Sequence, residues 1–593
     1  MSPRVNPRVG PPPPGGGTAT DPPGLTSPAR RCDVGHVAVA DVRIGSASSN
    51  GTGGGVAVPA AGLLGRVAGV AANVPVVAAA GGRLAGELLG VVAGRSELAP
   101  ARADRRFADP TWTDNPGYHR LMQAYLAACQ AVGEVVEGAE LTDWRSRERA
   151  RFVAGLLTST LSPTNTLIGN PAAIKRAFET AGFSLGRGAR TMISDLRHNR
   201  GMPRQVRADS FEVGADLAVT PGAVVYRDEV LELLQYRPTT DKVRQIPVVV
   251  VPPQINKFYF MDLAPGRSLI EYAVGKGQQV FAISWCNPTK ANRDWDLDTY
   301  GAAILRALDA VAEITGSQKV NLFGLCAGGI TASTVLNHLF ATGDGDRVRS
   351  VSFGVTLLDW SAPAPIGMLS VPSLLRFATW RSKRAGVLDG PSLASVFTWM
   401  RPNDLVWNYV VNNWLMGEDP PSFDILAWNA DATNLPGALH GQFLRIFEQN
   451  ALATPGALTV LGSPVDLGQV TTDTYITGGT TDHLTPWNGC YASAGLLGGD
   501  ATFVLTNTGH IQTLVAPPGK AKSRYWTGPA PDLEPDAWRE RAVEHEGTWW
   551  GHWADWIKSR SGPLRAAPAA LGSRLHSPLG EAPGTYVHTA ASP

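Results

Sequence analysis

Charge is scarce in this chain. Asp, Glu, Lys and Arg make up only 17% of its 593 residues, where about a quarter is usual for soluble domains. The charge also cancels, since 52 basic and 51 acidic residues leave a formal +1. Neither a nucleic-acid partner nor a strongly anionic surface follows from such a balance. Two readings of the low charge stand side by side. The surface is unusually apolar, as suits work beside a hydrophobic phase, or the composition is biased toward small residues, with 65 Gly and 45 Pro. Cysteine is scarce too: Cys32, Cys129, Cys286, Cys326 and Cys490 are odd in number, widely spaced and without a CxxC pair. That excludes a disulfide framework and a zinc site and fits a reducing cytoplasm. Residues 1–30 lack the apolar core of a secretory signal. The most apolar stretch, Val67 to Gly82 between Arg66 and Arg83, is expected to be too short and too rich in Ala and Gly to span a membrane. No internal repeat is present.

What is there divides into three regions. Residues 1–104 read as a disordered or weakly ordered Pro/Gly/Ala-rich extension. Within it, residues 56–100 form either a weakly amphipathic helix lying on a surface or, the preferred reading, a poorly ordered segment. Residues 105–240 read as a mainly helical domain. Apolar residues recur at helical spacing from Tyr118 to Val136, and further helices are expected at 144–160, 171–181 and 186–198. A hairpin is expected around Arg227-Asp228-Glu229. From 241 to 593 short β-branched runs alternate with helical patterns: Ile246–Val251, Gln279–Ser284, Val320–Phe323, Val348–Leu358, Thr474–Thr477 and Thr502–Leu505. Buried strands alternating with helices predict an α/β domain with a mostly parallel sheet covered on both faces. A segment rich in Trp, Pro and Asn, at about 361–449, interrupts the rhythm and reads as a lid inserted over the carboxyl edge of the sheet.

The sharpest local signal is Gly324-Leu325-Cys326-Ala327-Gly328, between a β-run ending at Phe323 and a helical pattern beginning after Gly329. G-x-C-x-G in that setting has the form of the nucleophile elbow of an α/β-hydrolase. The nucleophile sits on a strained strand-to-helix turn, and the flanking glycines let strand and helix close up. The helix N-terminus favours a thiolate, and the N–H of Ala327 can face a developing oxyanion. The partners should follow in the order acid, then histidine, each in a loop just past a strand end. Asp482 and His510 occupy those places, so Cys326, Asp482 and His510 are the candidate triad. His483, directly after the acid, is the rival base, with local packing as its plainer role. A second oxyanion donor is expected from the turn after Ile246–Val251, at the backbone N–H of Ile255. Cys129, Cys286 and Cys490 read as structural.

At this point the chain resembles the single-subunit poly(3-hydroxyalkanoate) synthases, bacterial polyester polymerases, over about residues 105–593. The carrying motifs include Val251-Pro252-Pro253-Gln254-Ile255-Asn256-Lys257-Phe258-Tyr259, Ser284-Trp285-Cys286-Asn287-Pro288 and Met400-Arg401-Pro402-Asn403-Asp404-Leu405-Val406-Trp407. Trp428-Asn429-Ala430-Asp431-Ala432-Thr433-Asn434 and the Cys326, Asp482 and His510 segments belong with them. Several stretches, Gly509-His510-Ile511-Gln512 among them, are closer to the synthases of medium-chain monomers. Residues 1–104 and the segment Trp360 to Trp380 depart from the family pattern.

The resemblance implies an α/β-hydrolase core with a lid, preceded by a helical domain. It makes Cys326 the acyl carrier, His510 the general base and Asp482 the third catalytic residue. The substrate it implies is (R)-3-hydroxyacyl-coenzyme A, and the products are a growing polyester and free coenzyme A. It further implies no cofactor or metal, a homodimer, no transmembrane segment, and cytoplasmic work at the surface of polyester granules. A thiolate attacking a thioester keeps the acyl group activated, which explains cysteine in place of serine. Either His510 alone or Asp482 more directly activates the incoming hydroxyl. Two other readings are a thioesterase or polyester depolymerase on the same scaffold, and a non-catalytic granule-associated protein. The long shared motifs speak against the first and the intact Cys–Asp–His set against the second.

Overall fold

The computed structural model describes residues 60–590 apart from positions 142, 208–209, 364–366, 368–370 and 533, with side chains from residue 73 onward. The expectation of disorder for residues 1–55, and Cys32, lie outside the described residues.

Five long helices come first: α1 (Ala60–Val92), α2 (Pro116–Gly138), α3 (Trp144–Thr160), α4 (Pro171–Glu179) and α5 (Phe183–His198). Polar side chains start three of them. Asn115 accepts from the N–H groups of Gly117 and Tyr118, Asp143 from that of Ser146 and Asn170 from that of Ala173. Pro116 and Pro171 take first-turn positions where no N–H is needed. Phe107, Trp112, Met122 and Leu126 form a small core of their own.

α1 corrects two expectations. Residues 60–92 are one helix rather than a poorly ordered segment. It packs on α2: Arg83 pairs with Glu134 at 2.8 Å, and the Asn73 side chain accepts from the N–H of Glu140 at 3.0 Å. One glycine allows a close approach, since a Cβ on Gly138 would stand 2.7 Å from a Val76 methyl. The helix continues past Gly82, so Asn73–Val92 reaches the length and apolarity needed to cross a membrane, the one such helix among the described residues. The shorter run read from the sequence does not.

The chain then builds an eleven-stranded sheet. Its strands are β1 (Gly222–Arg227), β2 (Leu231–Tyr236), β3 (Val248–Val251), β4 (Val280–Trp285), β5 (Val320–Leu325) and β6 (Val348–Gly354). Then come β7 (Asp473–Gly479), β8 (Ala501–Thr506), β9 (Arg524–Thr527), β10 (Val543–Glu546) and β11 (Gly580–Glu581). The order across the sheet is β10-β9-β8-β7-β6-β5-β3-β4-β2-β1-β11. Strands from β8 through β4 run parallel, and the flanks on both sides are antiparallel. The hairpin expected around Arg227-Asp228-Glu229 is β1–β2.

Helices cover both faces. α7 (Leu297–Thr315) and α8 (Ala327–Ala341) lie on one, and α6 (Leu269–Gly275) and α15 (Trp550–Lys558) on the other. The unbroken valine run of β3 follows from this. Val249 and Val251 enter one core and Val248 and Val250 the other, so no position faces water. In β5, Leu322 packs toward α8, while the Phe323 ring lies 5.3 Å from that of Trp553 on the opposite side.

The segment between β6 and β7 carries α9 (Pro372–Ala385), α10 (Gly390–Trp399), α11 (Asp424–Ala430) and α12 (Gly437–Gln449). α12 returns to the main core through Leu439, Phe443 and Ile446. The N-terminal helices lean on this segment. Trp414 donates to Asp195 at 2.9 Å, and Gly188 of α5 approaches so closely that a Cβ there would meet the Trp414 carbonyl oxygen at 2.0 Å.

Candidate active site

β5 ends at Leu325 and α8 begins at Ala327, leaving Cys326 alone at the turn with φ 47° and ψ −121°. A side chain held there costs on the order of 1–3 kcal/mol, which the surrounding packing must supply. The glycines explain how. A Cβ on Gly324 would lie 2.7 Å from Gly329 Cα, and one on Gly328 would lie 2.4 Å from the carbonyl oxygens of both Val251 and Pro252. Strand and helix therefore meet backbone to backbone. The helix starts at Ala327, earlier than the pattern predicts, because Gly328 and Gly329 form its first turn where no larger residue fits. Its leading N–H groups have no partner within the helix and carry partial positive charge next to the Cys326 sulfur.

Asp482 follows β7, and His510 opens α14 (His510–Leu514) just after β8. β7 and β8 are paired neighbours, so adjacent strand ends deliver both residues. Both side chains are buried. The Asp482 carboxylate has four donors. Oδ1 accepts from the N–H groups of Leu484 and Thr485, each at 2.9 Å. Oδ2 accepts from the Thr485 hydroxyl and from His510 Nδ1, each at 2.7 Å. A carboxylate only accepts, so Nδ1 carries the ring proton and Nε2 is left as the basic nitrogen.

Burial alone would push the His510 imidazolium down. The Asp482 charge and hydrogen bond, with a further hydrogen bond and charge from Cys326, overcome that and hold it at about 10. Burial likewise opposes the Asp482 carboxylate, but the His510 charge and the Thr485 donors keep its pKa below the ordinary value. An imidazole of that basicity exceeds an ordinary thiol, at about 8.5, and can take its proton.

The two candidate oxyanion donors belong to elements that touch, since Gly328 beside Ala327 approaches the Val251 and Pro252 carbonyls that lead to Ile255. Among the described residues, the N–H groups of Ala327 and Ile255 donate to no other group. The loop carrying Ile255 follows β3 and is held from three sides. Gln254 donates to Thr331 of α8 at 3.0 Å. The Lys257 carbonyl accepts from Trp428 Nε1 of α11 at 2.8 Å, and Tyr259 donates to Asp431 at 2.9 Å. The buried Lys257 ammonium donates to the Thr589 carbonyl at 2.8 Å and lies 3.5 Å from Asp431.

His483 is not brought to the Asp482 carboxylate. It is half-buried, and burial together with the Arg401 charge lowers it to about 4, so it is neutral. Cys490 is buried in α13 (Trp487–Ala494), with its thiol on the Thr485 carbonyl at 3.5 Å. Cys129 lies in α2, and Cys286 lies just past β4. Among the described residues no group of three or more His, Cys, Asp or Glu could hold a metal ion. Sequence reading passed over Thr485 and Gln254. The first was detectable as a hydroxyl residue three places after the acid, a common loop-capping spacing. The second carries no local signal.

Two family models match the chain. "Poly-beta-hydroxybutyrate polymerase (PhaC) N-terminus" covers residues 103–273, and "alpha/beta hydrolase fold" covers residues 247–517. The chain is 48% identical to poly(3-hydroxyalkanoate) polymerase 1 of Ectopseudomonas oleovorans, over 85% of this chain and 89% of that one. It is 42% identical to the poly(3-hydroxyalkanoate) polymerase subunit PhaC of Cupriavidus necator, over 84% and 85% respectively. Among solved structures, a monoacylglycerol lipase of Paleococcus ferrophilus aligns with 56% of this chain and 99% of its own, at 17% identity and a TM-score of 0.32.

Proposed function

The chain belongs to the poly(3-hydroxyalkanoate) polymerase family, and from that premise we propose that it polymerises (R)-3-hydroxyacyl-coenzyme A through an acyl-Cys326 intermediate. His510 Nε2 takes the Cys326 thiol proton, and the thiolate attacks the thioester carbonyl. The N–H groups of Ala327 and Ile255 stabilise the oxyanion. The C–S bond to coenzyme A breaks, and the leaving thiolate takes the proton from His510. A 3-hydroxyl then attacks the acyl-Cys326. His510 accepts the hydroxyl proton and returns it to the departing Cys326 sulfur as the ester forms.

One observation carries this reading: a cysteine at a strained strand-to-helix turn, with a basic imidazole beside it locked by a buried carboxylate. The Trp-rich segment 361–449 acts as a lid that keeps water from the acyl enzyme. Exposed apolar side chains, such as Ile168 and Phe178 at 82% and Phe183 at 78%, suit work at the surface of a polyester granule. In this reading the enzyme is cytoplasmic and works as a homodimer.

The test is turnover with (R)-3-hydroxyacyl-coenzyme A of several chain lengths, following coenzyme A release and product together. Release matched by polymer supports the proposal, and the chain length turned over fastest gives the monomer class. Release matched by monomeric acid assigns a thioesterase instead.

A further inference from the structure

We propose that Thr485 is a positioning residue for the Asp482–His510 pair, and that its hydroxyl directs the hydroxyl-activating step to His510 alone. The proposal rests on the reading of Cys326, Asp482 and His510 as the reacting set.

Three atoms carry it. Asp482 Oδ2, His510 Nδ1 and Thr485 Oγ1 form a closed triangle with sides of 2.7, 2.7 and 3.0 Å. The hydroxyl has one hydrogen, and the carboxylate has none, so that hydrogen goes to Oδ2. The oxygen's lone pairs then face Nδ1, which shares its proton between Thr485 and Asp482. Both acceptors favour the same ring tautomer, with Nε2 open. Thr485 is only 5% exposed, so water is poorly placed to replace its hydroxyl. Its backbone is held independently, because its N–H donates to Asp482 Oδ1 and its carbonyl accepts from the buried Cys490 thiol.

The consequence concerns the second half-reaction. With two donors on each oxygen, Asp482 has no free acceptor site to offer an incoming hydroxyl. The proton must go to His510 Nε2, and the carboxylate stabilises the imidazolium that forms. A Thr485 turn of the same backbone shape without the hydroxyl would leave Oδ2 one donor short in a buried site. The carboxylate would become more basic and compete for the Nδ1 proton. The other titratable groups around Asp482 are His483, Cys490 and Cys326, with Arg401 and Asp404 beyond His483. None of these supplies a second donor to Oδ2.

The experiment compares full-length wild type with Thr485→Val and Thr485→Ser for coenzyme A release from (R)-3-hydroxyacyl-coenzyme A across pH, with Tm measured for each. Valine keeps the shape and removes the hydroxyl. It should lower kcat by roughly tenfold with KM changed by less than about twofold, and serine should restore the rate to within about twofold. The acid inflection of the valine variant should move upward in pH, because a carboxylate with fewer donors protonates more easily. Alkylation of Cys326 by iodoacetamide against pH reads the same shift without turnover, so a variant slow for other reasons is still informative. A valine variant with wild-type kcat and inflection would overturn the proposal. So would one whose rate falls while the alkylation profile stays put and serine fails to rescue. Cys326→Ala in the same series separates the two levels: continued polymerisation there overturns the underlying mechanism, whereas an inactive Cys326→Ala beside an unperturbed Thr485→Val overturns only the role of Thr485.

Discussion

Gly328 touches Val251: a Cβ on the glycine would sit 2.4 Å from the valine's carbonyl oxygen. The helix that follows Cys326 and the strand that leads into the Ile255 loop are thus in backbone contact, and the spacing of the two candidate oxyanion donors depends on it.

Gly328→Ala should therefore harm stability and rate together. Forcing the two backbones apart is expected to cost about 1–3 kcal/mol, as overpacking does elsewhere. Denaturant titration reads that loss. Cys326 should still be alkylated normally, since its base is untouched, while turnover falls. Unchanged turnover would show that the spacing of α8 and β3 does not matter to catalysis.

Asp482→Asn should lower the His510 pKa from about 10, because burial is then opposed only by Cys326 and no longer by the Asp482 charge and hydrogen bond. Iodoacetamide labelling of the Cys326 peptide, followed by mass spectrometry, should slow by roughly tenfold or more. Labelling at the wild-type rate would mean that another group ionises the cysteine.

The same pair makes stability depend on pH. His510 is raised in the folded state, so its contribution is complete below about 6.5 and fades as pH climbs to about 10. Asp482 is lowered, so its contribution holds above its ordinary 3.8 and is lost only as pH falls through its depressed folded value. The stability gap between wild type and His510→Gln should be widest between those limits, near pH 5–6 on this reasoning. It should narrow steadily toward pH 10. Urea midpoints at pH 6 and 9.5 give the comparison, and a gap of constant size would contradict the raised imidazolium.

Trp428→Phe removes the indole N–H that the Lys257 carbonyl accepts at 2.8 Å. A buried carbonyl left without its donor costs about 1–3 kcal/mol. The loop carrying Ile255 should loosen, so kcat should fall more than Cys326 alkylation does. Equal losses in both would place the effect at the cysteine rather than at the oxyanion donors.

The sequence made the sheet legible because its central strands are buried on both faces. Val248 to Val251 can be nothing but apolar, and such runs stand out. The site was legible for a related reason. A parallel sheet puts strand ends side by side, so Asp482 and His510, 28 residues apart, become neighbours once β7 and β8 pair.

What stayed hidden depends on shape rather than polarity. α1 meets α2 through the Arg83–Glu134 pair, the Asn73–Glu140 hydrogen bond and one close approach at Gly138, none of which shows as hydrophobic periodicity. Gly328 and Gly329 look like a break before a helix, and only the neighbouring strand shows why the first turn needs them. The edge strand β10 and its neighbour β9 are four residues each, with polar and half-exposed positions, and give no clear alternation. Thr485 is an ordinary loop threonine until the fold brings His510 to its hydroxyl.

Trp428 and Asp431 belong to the segment that covers the sheet, yet their partners, Lys257 and Tyr259, belong to the loop of the oxyanion donor. That inserted segment is therefore moored to the loop that carries the candidate oxyanion donor. The outer helices, Pro372–Ala385 and Gly390–Trp399, are tied in as well: the Gly390 N–H donates to Asn434 Oδ1 at 2.9 Å, and Arg293 donates to the Lys383 carbonyl at 2.6 Å. In an enzyme that adds unit after unit to one chain, the loop of the candidate oxyanion donor is thereby braced alike for every addition.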